Sequence, residues 1–202
     1  MVSCILLSAG SSTRFGSPKA LAKVNGKTVI EFVLDSLIRS QVAEVIVVLG
    51  DGADEIKLHL LNHKKVKVVY NKDYLLGQIS SFQVGLRAIS PQSHGIMLLP
   101  VDVPFVRSAT LNILIAEFLK KKPLILLPSF GGKKGHPPLL SSRLKSDLLK
   151  LDTTQGLNTF EHQHESEIVL VNVEDEGILR TFNTPKEFEK IKADFVLKFL
   201  KV

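Results

Sequence analysis

The segment LLSAGSSTRFGSPKAL (Leu6–Leu21) joins the end of an apolar run to a loop of small and basic residues. The apolar run begins near Ser3 and has the length of a buried strand. Farther along the chain, similar runs alternate with segments whose apolar residues recur at helical spacing. This alternation is typical of a parallel sheet whose strands are joined by helices. It predicts the α/β class, with a three-layer α/β/α sandwich around a mostly parallel, Rossmann-like sheet.

Six runs have the composition of strands, and the run VIVVL indicates that both faces of the sheet are covered. The predicted strands are Ser3–Leu7, Glu44–Leu49, Lys67–Tyr70, Ile96–Leu99, Leu124–Leu127 and Ile168–Val171. Six further segments have the spacing of amphipathic helices. The predicted helices are Thr28–Ser40, Asp54–Asn62, Ser80–Ile89, Ala109–Lys121, Arg143–Leu151 and Pro185–Leu200.

Length and composition bound the class of protein. A chain of 202 residues with 45% hydrophobic and 23% charged residues can bury a sizeable core, which predicts one domain over residues 1–202. The first apolar run is too short for a bilayer and lacks a basic flank before it, so we expect neither a signal peptide nor a membrane span. The single cysteine, Cys4, cannot form an internal disulfide, and its apolar neighbours predict a buried thiol. These features predict a cytoplasmic protein.

The charge balance is basic, with 26 Lys and Arg against 20 Asp and Glu. The lysines are scattered and no basic module with interspersed aromatic residues is present, so we do not expect a nucleic acid partner. A solvated surface explains most of this charge. A small anionic substrate would also benefit from it.

The loop after the first predicted strand is the natural ligand site, because ligands in such sheets bind at the carboxyl ends of strands. Backbone amides around Gly10, Ser11 and Ser12 can donate to an anion, and their small side chains allow close approach. Arg14 adds a planar set of donors and Lys19 a mobile positive charge. The pattern favours triphosphate binding, and the alternative is an ordinary turn with exposed basic residues. Neither G-x-x-x-x-G-K-[ST] nor G-x-G-x-x-G is present.

The same segment resembles the L-[AS]-A-G-x-S-x-R-[FM]-G-x-x-K signature of MobA-like nucleotidyltransferases, particularly the molybdenum cofactor cytidylyltransferases. GQISSFQVGL (Gly77–Leu86) and LLPVDVPFV (Leu98–Val106) are similar to two further blocks of that family, in the same order. KGHPPLL and FNTPKEFEKI extend the resemblance over nearly the whole chain. It implies a fold of the nucleotide-diphospho-sugar transferase type and transfer of CMP from CTP to a phosphate of molybdopterin, with release of pyrophosphate.

Asp102 directly follows a predicted central strand, which places a carboxylate where a hard cation such as Mg²⁺ would bind. Its alternative role is to cap the turn around Pro104. The resemblance implies Asn183 as a second oxygen ligand of the metal. Asn183 also lies at a predicted helix start, with Thr184 as N-cap and Pro185 in the first turn.

The start of the helix after Gly77 is the candidate base-reading segment. The amide of Gln78 can donate and accept hydrogen bonds, and the hydroxyls of Ser80 and Ser81 can do either. These polar groups are equally suited to capping the helix. By resemblance, Leu7 and Ala9 complete the nucleotide-binding set, which is Leu7, Ala9, Gly10, Ser11, Ser12, Arg14, Lys19, Gln78, Ser80 and Ser81, with Arg14, Lys19 and Asp102 as the catalytic residues.

Base identity is open between two nucleotides. Ala9 before Gly10 resembles the cytidylyl subgroup, whereas Asn183 resembles the guanylyl pattern. Of the two nucleotides, we expect CTP to be the substrate. Two rival functions are also compatible with the sequence: a sugar-phosphate or isoprenoid-precursor nucleotidylyltransferase, and a non-catalytic accessory protein that delivers a cofactor to a molybdenum hydroxylase. A molybdoenzyme is therefore a possible partner.

The histidines are weaker candidates. His59 and His63 have i,i+4 spacing but lack the catalytic Glu and a third ligand of a zinc site, so we expect a surface pair. His136 follows a glycine-rich loop that either closes on substrate, bringing Lys133 or Lys134 to a phosphate, or forms a hairpin tip. We do not assign His136 a catalytic role.

Overall fold

A computed structural model describes the backbone of residues 1–199 and the side chains of residues 1–195. Eight of the strands in this part of the chain form one sheet, and the short β2 and β3 pair in a separate hairpin. The strands are β1 (Val2–Ser8), β2 (Lys23–Val24), β3 (Lys27–Thr28), β4 (Glu44–Leu49), β5 (Val66–Tyr70), β6 (Gly95–Pro100), β7 (Ile125–Phe130), β8 (Lys133–Lys134), β9 (Leu139–Ser141) and β10 (Ile168–Asn172).

Seven α-helices cover the sheet or lie at its edges in the described residues. They are α1 (Val29–Arg39), α2 (Ala53–Lys57), α3 (Gln78–Ala88), α4 (Ser108–Lys121), α5 (Lys145–Leu148), α6 (Leu157–Gln163) and α7 (Pro185–Phe199). None of the helices within residues 1–199 combines the length and apolarity needed to cross a membrane.

The sheet order is β10-β7-β9-β6-β1-β4-β5, and β8 pairs with β7 outside this path. β1 lies at the centre and pairs in parallel with both β4 and β6. β5 and β10 extend the parallel arrangement at the two edges. β9 runs antiparallel between β6 and β7. The carboxyl ends of β1, β4, β6 and β7 therefore share one edge of the sheet.

Alternate residues of the central strands enter two separate hydrophobic clusters. Cys4 and Leu6 face the cluster that contains α1, α4 and α7, whereas Ile5 and Leu7 face the cluster with α3, α5 and α6. A strand buried on both faces reads as a continuous apolar run, which is what the sequence contains. The three-layer sandwich is confirmed. Cys4 is a free, buried thiol, and its burial raises its pKa.

The start of α1 follows from local sequence. The Thr28 hydroxyl accepts from the backbone of Glu31, and the Glu31 carboxylate accepts from the backbone of Thr28. This reciprocal capping box satisfies two backbone donors that the helix itself leaves free. The fixed helix start holds the β2–β3 hairpin, and with it the end of the preceding loop, against the core.

Two of the predicted helices are wrong in part. The helix predicted over Asp54–Asn62 is only the short α2, and the one predicted over Arg143–Leu151 is a 3₁₀ turn at Ser142–Leu144 followed by α5. The antiparallel β9 and the helix α6 were not predicted. The remaining four predicted helices and all six predicted strands are present within a few residues, except that Leu200, the predicted end of the last helix, lies outside the described residues.

Candidate active site

A cavity of about 370 Å³ opens at the carboxyl ends of β1 and β6. Its walls come from the loop after β1, the segment before α3, the end of β6 and the residue two places before α7. Every sequence-predicted site residue except Ser80 lines it. These residues are Leu7, Ala9, Gly10, Ser11, Ser12, Arg14, Lys19, Gln78, Ser81, Asp102 and Asn183.

The loop after β1 is closed by its own hydrogen bonds. The Ser12 hydroxyl accepts from the backbone N–H of Lys19 at 3.2 Å, which ties the two ends of the loop together. The ring of Phe15 lies 5.4 Å from that of Phe182, so the loop is anchored to the segment before α7 by aromatic packing. This anchor brings Arg14 close to Asn183, although the two residues are 169 positions apart.

Lys19 is the central contact of the site. Its ammonium nitrogen donates to Asp102 Oδ2 at 2.8 Å and to Asn183 Oδ1 at 2.9 Å. The Lys19 side chain is 14% exposed and that of Asp102 24% exposed, so this ion pair is partly desolvated. The Phe182 ring lies 5.5 Å from the ammonium on another side. The positive charge therefore sits where the two side-chain oxygens converge.

Asn183 is available to the site because its neighbours cap α7. The Thr184 hydroxyl accepts from the backbone of Glu187, and the Glu187 carboxylate accepts from the backbone N–H groups of Asn183 and Thr184. These hydrogen bonds and the charge of Arg14 keep the pKa of Glu187 below its usual value. Asn183 Oδ1 also accepts from Arg14 Nη2 at 3.1 Å. The predicted Thr184 cap is confirmed, and it leaves the Asn183 side chain free to face the cavity.

Ser80 differs from the other predicted residues. Its single hydroxyl proton can be donated to the carbonyl of Gly77, at 2.8 Å, or of Asp73, at 3.1 Å, and its oxygen accepts from the Asn71 amide, so Ser80 closes the turn before α3. Asn71 also donates to Ser81 Oγ at 2.9 Å, but Ser81 lines the cavity and keeps its own proton to donate. Gln78 is exposed at the first position of α3. Ser80 therefore supports the turn, and Gln78 and Ser81 face the cavity.

Ser8 and Leu75 are among the wall residues that were not identified from sequence. Ser8 lines the cavity at the end of β1, and its buried hydroxyl has no hydrogen-bond partner in the described residues. Leu75 also lines it with an 80% exposed side chain, in the 3₁₀ turn Tyr74–Leu76. Ser8 lies within the motif LSAG, but its sequence context gave no sign that its hydroxyl would be left unpaired. Leu75 lies in the loop after β5, and nothing in its sequence context distinguishes it from other exposed loop leucines.

His136 lies outside this cavity. The glycine-rich loop before it is a hairpin, in which β8 pairs with β7 through Phe130 and Lys133, so the predicted hairpin tip is observed. His136 lines a second cavity of about 330 Å³. His59 and His63 both lie beyond the end of α2 and not on a common helix.

The model of the MobA-like NTP transferase domain matches residues 4–168 of the chain. The chain belongs to this family. A probable molybdenum cofactor guanylyltransferase of Geobacillus sp. strain WCH70 is 28% identical over 93% of this chain and 96% of that protein. The molybdenum cofactor cytidylyltransferase of Escherichia coli K12 is 22% identical over 96% of this chain and 97% of that protein.

Solved structures of this fold are also similar. Rv0371c of Mycobacterium tuberculosis H37Rv is 25% identical, with a TM-score of 0.83 over 95% of this chain and 97% of that chain. A manganese complex of Rv0371c superposes with a TM-score of 0.79 at 24% identity, over 95% of this chain and 98% of that chain. These proteins therefore share the fold at whose sheet edge the cavity of this chain opens.

The oxygen atoms at this edge fit a divalent cation of the Mg²⁺ type. Asp102 Oδ2 and Asn183 Oδ1 are hard donors, and both lie within hydrogen-bonding distance of one nitrogen, that of Lys19. No cluster of three or more His, Cys, Asp or Glu suited to a metal occurs in residues 1–195. Mg²⁺ does not require one, because it keeps several waters and binds through one or two protein oxygens together with substrate phosphates.

Proposed function

We propose that this chain is a Mg²⁺-dependent nucleotidyltransferase that transfers CMP from CTP to a phosphate of molybdopterin or its metal-loaded form. The observation that supports this proposal most is the convergence of Arg14, Lys19, Asp102 and Asn183 at the mouth of one cavity. Two cationic donors and two oxygen ligands in one place suit a triphosphate with its metal. Membership in the MobA-like family supports the same reaction class.

In the proposed reaction, an oxygen of the acceptor phosphate forms a bond to the α-phosphorus of the nucleotide. The bond from that phosphorus to the β-phosphate oxygen breaks, and pyrophosphate leaves. Mg²⁺ held by Asp102 and Asn183 would neutralise phosphate charge. Arg14 binds the β- and γ-phosphates through its planar donors, and Lys19 stabilises charge at the α-phosphate.

Lys19 must change partners for this role. Its ammonium now satisfies Asp102 and Asn183, the two residues proposed to hold the metal. A divalent cation and an ammonium group repel each other at such short range. The lysine therefore exchanges the carboxylate for a phosphate oxygen when the metal–nucleotide complex binds.

The base preference is proposed from the wall of the cavity that the start of α3 forms. Gln78 and Ser81, which both line the cavity, contact the base. Ala9 favours CTP by resemblance. The second candidate is guanylyl transfer, which is supported by Asn183 and by the name of the Geobacillus relative.

Measurement of pyrophosphate release with each of the four nucleoside triphosphates tests the proposal. The purified chain should release pyrophosphate from CTP only when Mg²⁺ and molybdopterin are both present. Lys19→Ala should abolish most of this turnover, whereas Lys27→Ala should retain it, because Lys27 is 56% exposed and pairs with Asp35 away from the cavity. Preference for GTP would replace the cytidylyl proposal by the guanylyl one.

Nucleotide binding separates the enzyme from a non-catalytic accessory protein. A bound triphosphate raises the unfolding temperature by mass action. A cofactor-delivery protein would show no triphosphate-dependent shift and no pyrophosphate release. A sugar-phosphate or isoprenoid-precursor enzyme would show the shift but would release pyrophosphate with those acceptors instead.

A further inference from the structure

The turn before α3 carries two exposed leucines in succession. Leu75 and Leu76 both belong to the 3₁₀ turn Tyr74–Leu76, and they are 80% and 57% exposed. Of the two, Leu75 lines the first cavity. An exposed leucine keeps apolar surface in contact with water, and contact with a ligand would remove that surface from water. The two neighbours therefore have the same chemistry but differ in their position relative to the cavity.

The backbone that carries Leu75 is held in place on several sides. The backbone N–H of Gly77 donates to the carbonyl of Tyr74 at 3.1 Å, which closes the turn. A Cβ atom at Gly50 would lie only 2.7 Å from that of Tyr74, so the turn packs closely on the loop after β4. A Cβ atom at Gly77 would lie 3.3 Å from the carbonyl oxygen of Thr153. The exposure of Leu75 is therefore a property of a packed turn and not of a loose loop.

The position of Leu75 in the chain indicates which part of a nucleotide it would contact. It precedes Gln78, the first residue of α3, by three positions, and Gln78 and Ser81 line the same cavity. Hydrogen-bonding side chains of this kind can pair with the polar edge of a base. The faces of a base are π surfaces, which pack against apolar or aromatic side chains. A leucine next to the proposed base-reading residues therefore suits a base face.

The phosphates of the nucleotide are an unsuitable partner for the same side chain. Arg14 and Lys19 supply the positive charge of the cavity, and both contact Asn183 on the wall formed by the segment before α7. Phosphate oxygens are bound by such cationic donors and by backbone amides. A leucine offers neither a charge nor a donor.

We infer that Leu75 covers one face of the nucleobase of the bound nucleoside triphosphate. Every base has such a face, so this contact adds affinity without selecting the base. The choice between bases is then left to the polar groups of Gln78 and Ser81. The inference rests on the proposed function, because it requires a nucleotide in the first cavity.

Titration calorimetry of CTP and GTP, each with Mg²⁺, against Leu75→Ala tests this assignment. A base that covers about 50 Å² of the removed apolar surface corresponds to about ten-fold in affinity. Both nucleotides should therefore bind about ten-fold more weakly. Leu76→Ala is the matched control, since it makes the same change at the neighbouring exposed position, and it should bind both nucleotides like the parent. Leu75→Met should restore most of the affinity, because methionine keeps an apolar side chain of similar volume.

Inorganic tripolyphosphate with Mg²⁺ separates a base contact from a disturbance of the phosphate site. It has the phosphates of the nucleotide but no base, so Leu75→Ala should bind it as tightly as the parent does. The ligand-free variant should also unfold at the parental temperature, because the substituted side chain is 80% exposed. A loss of affinity confined to nucleotides is expected of a base contact and not of a structural role.

Parental affinity of Leu75→Ala for CTP and GTP would overturn the inference. An equal loss with tripolyphosphate, or an equal loss in Leu76→Ala, would do the same, as would a loss limited to one of the two nucleotides. If the parent binds nucleotide and Leu75→Ala binds it just as tightly, only the assignment of Leu75 is wrong and the proposed function stands. If the parent binds neither CTP nor GTP, the proposed function and the role of Leu75 are both wrong.

Discussion

Replacement of Lys19 by alanine should lower stability and raise metal affinity at the same time. The substitution removes the ammonium that Asp102 and Asn183 share, so a carboxylate and an amide oxygen face each other without that donor. Arg14 still donates to Asn183, which limits the loss. Without the lysine, the same two oxygens become available to a cation that is not accompanied by a nucleotide.

The size of the destabilisation follows from burial. Loss of one partner from a fully buried pair costs about 3–5 kcal/mol, whereas an exposed pair contributes about 0–1 kcal/mol. The Lys19 and Asp102 side chains are 14% and 24% exposed, so we expect an intermediate loss of about 1–3 kcal/mol. For a chain of this length, such a loss lowers the unfolding temperature by about 2–12 °C.

Thermal unfolding with and without Mn²⁺ or Mg²⁺, in the absence of nucleotide, measures both effects. The parent should respond weakly to the metal, because the cation must displace Lys19. Lys19→Ala should unfold at a lower temperature than the parent and bind Mn²⁺ about ten-fold more tightly in calorimetry. At high metal concentration it should regain part of the lost stability. Lys27→Ala makes the same change of charge at an exposed position and should behave like the parent. If Lys19→Ala keeps parental stability and metal affinity, Lys19 does not compete with the metal.

Three further predictions test separate parts of the chain. Asp102→Asn should reduce Mg²⁺-dependent pyrophosphate release by about 100-fold or more while metal-free nucleotide binding changes far less; superimposable Mg²⁺ titrations of mutant and parent would contradict this. Gln78→Ala or Ser81→Ala should change the ratio of kcat/KM for CTP over GTP by about ten-fold, since each loses a contact of about 1–3 kcal/mol. Ser80→Ala is the control and should affect stability but not base choice. Equal losses of kcat/KM with both nucleotides would mean that Gln78 and Ser81 only support the helix. Glu161→Gln should raise the unfolding temperature at pH 7. Burial raises the pKa of Glu161 in the folded protein above its value in the unfolded chain, about 4.3. The parent therefore loses stability as the pH rises from the unfolded-state pKa through the folded-state pKa, and the neutral glutamine does not. The two proteins should converge near pH 4 in thermal melts, and a pH-independent difference would show that charge burial is not the cause.

Local sequence was sufficient for much of the fold. The run VIVVL is apolar at every position, as burial on both faces requires, and it forms β4. Thr28 and Glu31 carry the capping signal that starts α1. The loop Gly10–Lys19 was recognisable from its small and basic residues, because a strand followed by such a loop places donors at the ligand-binding edge of a sheet.

The short strands and helices could not be predicted from the local sequence. β9 has only three residues, Leu139–Ser141, and a run of that length has no periodicity that distinguishes a strand from a turn or gives its direction. It is a strand because it lies between β6 and β7 and forms antiparallel backbone pairs with both of them. The helix predicted to continue to Asn62 ends at Lys57, although its apolar residues kept a helical spacing.

The composition of the site was thus readable from the sequence, but its contacts were decided by the tertiary structure. Lys19 and Asp102 are 83 residues apart, and Lys19 and Asn183 are 164 apart. No local preference of the chain fixes such distances, since they depend on β6 pairing directly with β1 and on the packing of Phe15 against Phe182. Similarly, Ser80 and Ser81 are adjacent and chemically identical, yet one closes a turn and the other lines the cavity. Successive residues of a helix point about 100° apart, so the packing of α3 on the sheet decided which hydroxyl faces the ligand.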